Sequence, residues 1–337
     1  MIPCFEHLRS DLEVATDFIG DNLSVDSPFI GEMAKHFLST LGQRIRPSLV
    51  LAFSRLHRRS TPPGAPGLAA MTELVHSASL LHDDVVDKGR MRRNRVTVNA
   101  KWGNKEAVLL GDLLLSRSLK VLAQENDPRM IEALYSITAS LSEGQLLELE
   151  NFGNRHLDEP DYLRIIELKT AVFFAECCRI GALAAKASDE QIDRAREFGL
   201  QIGYCYQILD DLLDVTATLS SLGKDIQNDL LHGKMTLPYI YCLGQSEGRE
   251  LLDFPEARPP AADRVASYIR RSGAYDYCVE KARAHAAAAL SSAARLGDPA
   301  LEATLEQFVA YLFSRMERYS AATAQPSATA ETPTAAA

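Results

Sequence analysis

Two short acidic clusters constrain this chain more than any other feature. Asp83-Asp84-Val85-Val86-Asp87 closes the apolar run Leu74-Val75-His76-Ser77-Ala78-Ser79-Leu80-Leu81, and Asp210-Asp211-Leu212-Leu213-Asp214 follows Gln207-Ile208-Leu209. Positions i, i+3 and i+4 are neighbours on a helix surface, so each cluster gathers carboxylates within one turn. Such carboxylates repel one another unless something positive lies between them. A solvated surface helix meets that need with water and lysines, but it would not carry apolar residues on both sides of the cluster. Hard divalent cations prefer oxygen ligands, and magnesium characteristically bridges carboxylates to substrate phosphates. Two such clusters facing one another would clamp a diphosphate through shared metal ions.

The rest of the chain reads as helix. Apolar residues recur at helical spacing over about Phe5 to Ile19, from Pro28 to about Leu41, and from Pro47 to about Leu56. Pro28 suits a first helical turn. Arg58 to Gly67 reads as a loop by its Pro and Gly content. Helical patterns resume near Asn104, from Arg129 to Asn151, from Tyr162 to Ala187 and from Gln191 to Ala217, with smaller helices beyond Pro259-Pro260. There is no sustained alternation of apolar and polar residues and no Asn-Gly hairpin signal. The expected fold is therefore all-α, a single domain over residues 1–320. Residues 321–337 are rich in Ala, Thr and Pro and bury too little apolar surface to order themselves, so they read as a disordered tail.

Composition narrows the function. A net charge of −9 argues against nucleic acid, whose phosphates need a basic surface. The six cysteines show no CxxC and no metal-ligand spacing, which suits buried thiols in a reducing compartment. The N-terminus lacks the apolar core of a signal peptide, and no apolar run approaches the roughly 18 residues of a membrane span. The expected location is the cytoplasm. Against the acidic background, Arg92, Arg93, Lys169, Lys224 and Lys234 stand near or between the clusters, where guanidinium and ammonium groups would neutralise diphosphate oxygens.

With these motifs in order, the chain resembles the trans-polyprenyl diphosphate synthases from about Gly42 to Tyr319. The matching stretches are Gly42 to Pro47, Glu73 to His76, Leu81 to Asp87, Arg92-Arg93, Thr97 to Ala100, Gly111-Asp112, Lys169-Thr170, Gln207 to Asp214, and Gly223 to Pro238. The resemblance implies a bundle of long helices around a deep central cavity, a homodimer and Mg2+ as cofactor. It implies that Asp83, Asp84, Asp87, Asp210, Asp211 and Asp214 hold the metal ions. Arg92, Lys169, Gln207 and Lys224 would contact an allylic diphosphate such as farnesyl diphosphate, Lys234 would stabilise its diphosphate, and Thr170 would lie beside the reacting centre. Arg46, His76 and Arg93 would hold isopentenyl diphosphate. One position departs from the family: Gln43 stands where a lysine is usual, and it donates a hydrogen bond without supplying a charge.

The chemistry implied is ionisation, condensation and elimination. Ser79 and Ala78, four and five positions before Asp83, would line the product tunnel, where short-chain members usually carry aromatic residues. Two small residues predict a long product, hexaprenyl to decaprenyl with octaprenyl favoured, and transient membrane contact on its release. The alternatives are a geranylgeranyl diphosphate synthase and a non-catalytic subunit of a heteromeric synthase. The latter generally loses an acidic cluster, and both are intact here.

Overall fold

Apolar residues at helical spacing bury themselves by packing helix on helix, and the computed structural model is built in this way. It describes residues 2–23, 26–39, 42–125, 127–216, 233–254 and 260–322. Lys224 and residues 323–337 of the proposed tail lie outside the described residues. A short 3-10 helix, Pro3–Leu8, leads into α1 (Arg9–Asn22), α2 (Pro28–Leu38), α3 (Ile45–Ser54) and α4 (Ala65–Val86). Beyond the first acidic cluster come α5 (Val98–Trp102), α6 (Asn104–Leu122), α7 (Pro128–Glu150) and α8 (Glu159–Ile166). Next are α9 (Val172–Ala184), α10 (Asp189–Thr216), α11 (Leu237–Leu243), α12 (Ser246–Leu252), α13 (Ala262–Arg271), α14 (Ala274–Ala294) and α15 (Pro299–Ala322).

Local chemistry sets several helix starts. Ser27, Asp127 and Asp158 each accept a backbone N–H from the first turn of α2, α7 and α8, with a proline in that turn in every case. Ser188 and Gln191 satisfy each other's backbone N–H groups at the start of α10, a capping box. One extended core runs through the molecule, with α10 packed between α9 and α14, and α4 against α6 and α3. Gly199 brings α10 close to α9: a Cβ there would lie 2.5 Å from the Phe174 carbonyl oxygen. Buried Glu176 binds Arg179 and Arg196, tying the same two helices with charge-assisted bonds.

Three local features differ from the sequence reading. Helix α4 begins at Ala65, inside the stretch read as loop, because Pro66 is tolerated in a first helical turn. The segment read as one helix from Tyr162 to Ala187 is interrupted by a π-helical turn, Glu167–Ala171. The basic segment after α4 is a hairpin of β1 (Met91–Arg92) and β2 (Arg95–Val96), paired antiparallel. Its two turn residues, Arg93 and Asn94, both have positive φ (49° and 61°), as a type I′ turn requires. Asparagine tolerates that region better than most residues, which suits Asn94 to the turn.

Candidate active site

Helices α4 and α10 open on a cavity of about 1410 Å3. Asp83 and Asp87 line it from α4, and Asp210, Asp211 and Asp214 from α10. Lys169, Lys234, Arg92, Arg93, Arg46 and His76 also line it, as do Thr170 and Gln207. Among the described residues, the basic and acidic side chains singled out from sequence therefore meet in one space, apart from Asp84.

The first cluster divides into different environments. Burial lifts the Asp83 carboxyl to about 6, against the opposing pull of the Lys169 ammonium. Asp87 lies at the mouth, 3.3 Å from the Lys234 Nζ. Asp84 turns away from the cavity. Its carboxylate accepts from the Arg92 Nε at 3.0 Å and Nη2 at 2.8 Å, and its side chain is only 8% exposed. Burial raises its pKa, and the Arg92 guanidinium only partly offsets this. The Asp84 carbonyl also accepts from the Asn99 side chain, and Thr97 and Asn99 both bind the Gly89 carbonyl. The end of α4, the hairpin and α5 are thereby knotted together. Asp84 thus tethers the arginine hairpin, gripping Arg92 and lying against Gly89, both of which line the cavity.

In the second cluster Asp211 is buried and doubly engaged. It accepts from the Tyr162 hydroxyl at 2.6 Å and from the Gln207 Nε2 at 2.7 Å. Gln207 in turn accepts from the Thr170 hydroxyl at 2.7 Å, so the second cluster is linked to the π turn. Asp210 lies 3.5 Å from an Arg315 Nη2 of α15. Arg315 is remote in sequence and belongs to no short motif, so nothing in the sequence pattern singles it out.

Lys169 owes its position to backbone geometry. The π turn carries it, and Gly144 of α7 lies against it: a Cβ at Gly144 would be 2.7 Å from the Lys169 Cγ. Such turns concentrate at functional sites. The Lys169 Nζ lies 2.5 Å from the Glu148 Oε2, and the Lys234 Nζ lies 3.2 Å from the same atom. Burial would raise the Glu148 pKa, but the two ammoniums overcome it and hold the carboxyl below its ordinary value. Glu148 was not among the residues singled out from sequence, because one glutamate on a polar helix face has no distinguishing pattern.

A second basic region sits at the start of α3. The Arg46 guanidinium stacks over Phe173 and Phe174, at 4.8 and 5.1 Å from their ring centroids, and one of its Nη atoms lies 3.2 Å from the His76 Nε2. Burial, then Arg46 and Arg93, depress the His76 pKa well below the ordinary imidazole value, so the ring is neutral. The Arg93 guanidinium presses on Gly42, where a Cβ would collide with it. Gln43 is exposed on the same rim, beside the N-terminus of α3.

The cavity continues between apolar side chains that include Leu80, Leu141, Ile165 and Ile166. Ser79 lines it, but Ala78 does not and is fully buried. The reason is helical geometry. At about 100° per residue, a side chain four positions before Asp83 lies about 40° from it, and one five positions before lies about 140° away. Ser79 therefore shares the face of Asp83, while Ala78 sits on another face of α4, within the core. His82 points to α6, 3.5 Å from an Asp112 carboxylate oxygen.

Comparison with known proteins shows what the chain and its fold are similar to. Residues 27–271 match the family model of polyprenyl synthetases. The chain is 33% identical over 279 residues to an all-trans-nonaprenyl-diphosphate synthase (geranyl-diphosphate specific) of Rhodobacter capsulatus, covering 82% of this chain and 86% of that one. It is 31% identical over 288 residues to the octaprenyl diphosphate synthase of Haemophilus influenzae, covering 84% and 87% respectively. A polyprenyl synthase from Caulobacter crescentus, solved with calcium and isoprenyl diphosphate, superposes with a TM-score of 0.86 at 29% identity, covering 94% of this chain and 98% of that one.

Proposed function

The chain belongs to the polyprenyl synthetase family, and from that premise we propose that it condenses isopentenyl diphosphate with an allylic diphosphate, such as farnesyl diphosphate, to make a long-chain all-trans polyprenyl diphosphate. The product range is hexaprenyl to decaprenyl, with octaprenyl favoured. One observation carries the reading: carboxylates from α4 and α10 face Arg92, Lys169 and Lys234 across one cavity with an apolar wall. The likeness to nonaprenyl and octaprenyl synthases supports a long product.

The donor set fits a hard divalent cation. Asp83, Asp87, Asp210 and Asp214 offer carboxylate oxygens to the cavity, yet among the described residues no three His, Cys, Asp or Glu side chains form a metal cage of their own. Magnesium suits such a site, since it takes one or two carboxylates and completes its shell with water and substrate phosphates. Bound there, it would supply electrostatic stabilisation of the departing diphosphate.

The protein's own groups do the rest. Lys169, Lys234 and Arg92 bind the allylic diphosphate and neutralise it as the carbon–oxygen bond breaks and the electron pair leaves with it. Lys224 is assigned to the same diphosphate. Gln207 holds Thr170 beside the allylic carbon. Arg46, Arg93 and neutral His76 hold isopentenyl diphosphate with its double bond toward that carbon, and the apolar wall excludes water from the cation. The double bond attacks, and the released diphosphate takes the proton that is lost. Asp84 and Asp211 belong to the same metal-binding clusters, and each also positions a substrate-binding residue, Asp84 through Arg92 and Asp211 through Gln207. Ser79 lies on the α4 wall one turn below Asp83, next to Leu80, so its small size leaves room for a growing chain.

A homodimer belongs to this reading, supported by the exposed Leu109, Leu119, Tyr135 and Leu146 of α6 and α7. So do a cytoplasmic location and transient membrane contact for release of the apolar product. Among the described residues no helix is long and apolar enough to cross a membrane. The test is chromatography of the products made from farnesyl diphosphate and labelled isopentenyl diphosphate with magnesium. Chains of six to ten isoprene units are expected. Geranylgeranyl diphosphate as sole product would refute the length, and no condensation would refute the enzyme.

A further inference from the structure

We propose that Glu148 is a positioning residue that sets the two lysine ammoniums at the spacing of one diphosphate. Three parts of the chain converge on it. Lys169 comes from the π turn, Lys234 from the segment before α11, and Glu148 from the last turn of α7. A single oxygen, Oε2, takes Lys169 at 2.5 Å and Lys234 at 3.2 Å. Two ammoniums bound to one atom at these distances lie no more than about 6 Å apart. Lysine is a flexible point charge, and two such charges this close would splay apart if no carboxylate stood between them. The side chains are partly buried, 21% exposed for Lys169, 22% for Lys234 and 20% for Glu148, so solvent does little of this work.

The arrangement is anchored on both sides. Gly144 lets α7 press against Lys169, which keeps the Glu148–Lys169 distance short. Lys234 also reaches the Asp87 Oδ2 at 3.3 Å, so it links Glu148 to the first acidic cluster. The Gln145 Nε2 lies 3.4 Å from the Glu148 Oε2 and braces it from one turn earlier.

A purely electrostatic role makes the opposite prediction. A carboxylate beside an anion site repels the anion, so neutralising it would tighten diphosphate binding. A positioning role predicts weaker binding, because both lysines must then be ordered when the anion arrives. The inference rests on the prenyltransferase reading for the identity of the anion. Glu148→Gln keeps the shape and removes the charge. In calorimetry of inorganic diphosphate with magnesium, Kd should rise about tenfold, the cost of immobilising two long side chains. In turnover, KM for the allylic diphosphate should rise by a similar factor while KM for isopentenyl diphosphate stays unchanged, with partial rescue by Glu148→Asp. In a Lys169→Met background, Glu148→Gln should add little. Unchanged or tighter binding of inorganic diphosphate overturns the proposal, as does an equal rise in both KM values. If the wild type makes no prenyl product, the enzymatic reading fails, and the calorimetry still decides the role of Glu148.

Discussion

Adjacent aspartates in one motif should fail in different ways when neutralised. In Asp84→Asn the carboxylate that grips Arg92 through bonds of 2.8, 3.0 and 3.2 Å is replaced by an amide of the same shape. The amide oxygen retains one acceptor, while the second arm and the charge are lost. Removing one partner of a fully buried pair costs about 3–5 kcal/mol. Here Arg92 is 31% exposed, so water can solvate the released guanidinium. Burial also already disfavours the Asp84 charge. The net loss should be about 1–2 kcal/mol, or roughly 1–3 °C in Tm for a chain of this size. The hairpin that carries Arg92 and Arg93 loosens at the same time, so KM for both substrates should rise about tenfold, roughly the 1.4 kcal/mol of one lost charged bond. The magnesium concentration for half-maximal activity should rise less than it does in Asp83→Asn. Asp83→Asn should do the reverse: Tm held or raised, and the magnesium requirement increased at least about tenfold. Thermal unfolding and magnesium titration of both variants decide the matter. If Asp84→Asn leaves Tm unchanged and shifts the magnesium requirement as far as Asp83→Asn does, Asp84 acts through the metal alone and its assignment as a tether is wrong.

Further outcomes are expected. Ser79→Phe should shorten the product by several isoprene units on chromatography, whereas Ala78→Phe, packed into the core, should cost about 1–3 kcal/mol in urea unfolding with product length unchanged. Gln43→Lys should lower KM for isopentenyl diphosphate by about three- to tenfold, because it adds a cation to the rim beside Arg46 and Arg93. An unaltered KM would show that Gln43 does not face this substrate. His76 is held neutral by burial and by Arg46 and Arg93, so its folded pKa lies below its unfolded value. The unfolded chain then binds the extra proton first as pH falls, and stability present above about pH 6.5 is lost as the medium becomes more acidic. His76→Gln should flatten the stability profile between about pH 7 and 5 in urea unfolding, and a parallel profile would refute the assignment.

The helical periodicity and the lack of strand alternation specified an all-α chain, because burial on a helix repeats on every turn and needs no distant partner to be visible. The two acidic clusters were legible for the same reason: their spacing within one turn is a local property. Their apolar flanks argued against a solvated face and for a charged space between them. The hairpin was missed because its signal rests on Asn94 in place of glycine, in a two-residue turn where the basic side chains dominate the pattern.

What a side chain faces is decided by packing. Asp83 and Asp84 are chemically identical and adjacent, yet one lines the cavity and the other folds back on Arg92, because α4 turns about 100° between them. The same rotation separates Ser79 from Ala78. Glu148 has no motif, and Arg315 lies 105 residues from the Asp210 it approaches. Sequence alone determined the helices, the paired acidic clusters and the set of basic groups that complement them. Only the tertiary structure decided which carboxylates reach the cavity, and that Glu148 stands between the two lysines, since such contacts depend on helices brought together from distant parts of the chain.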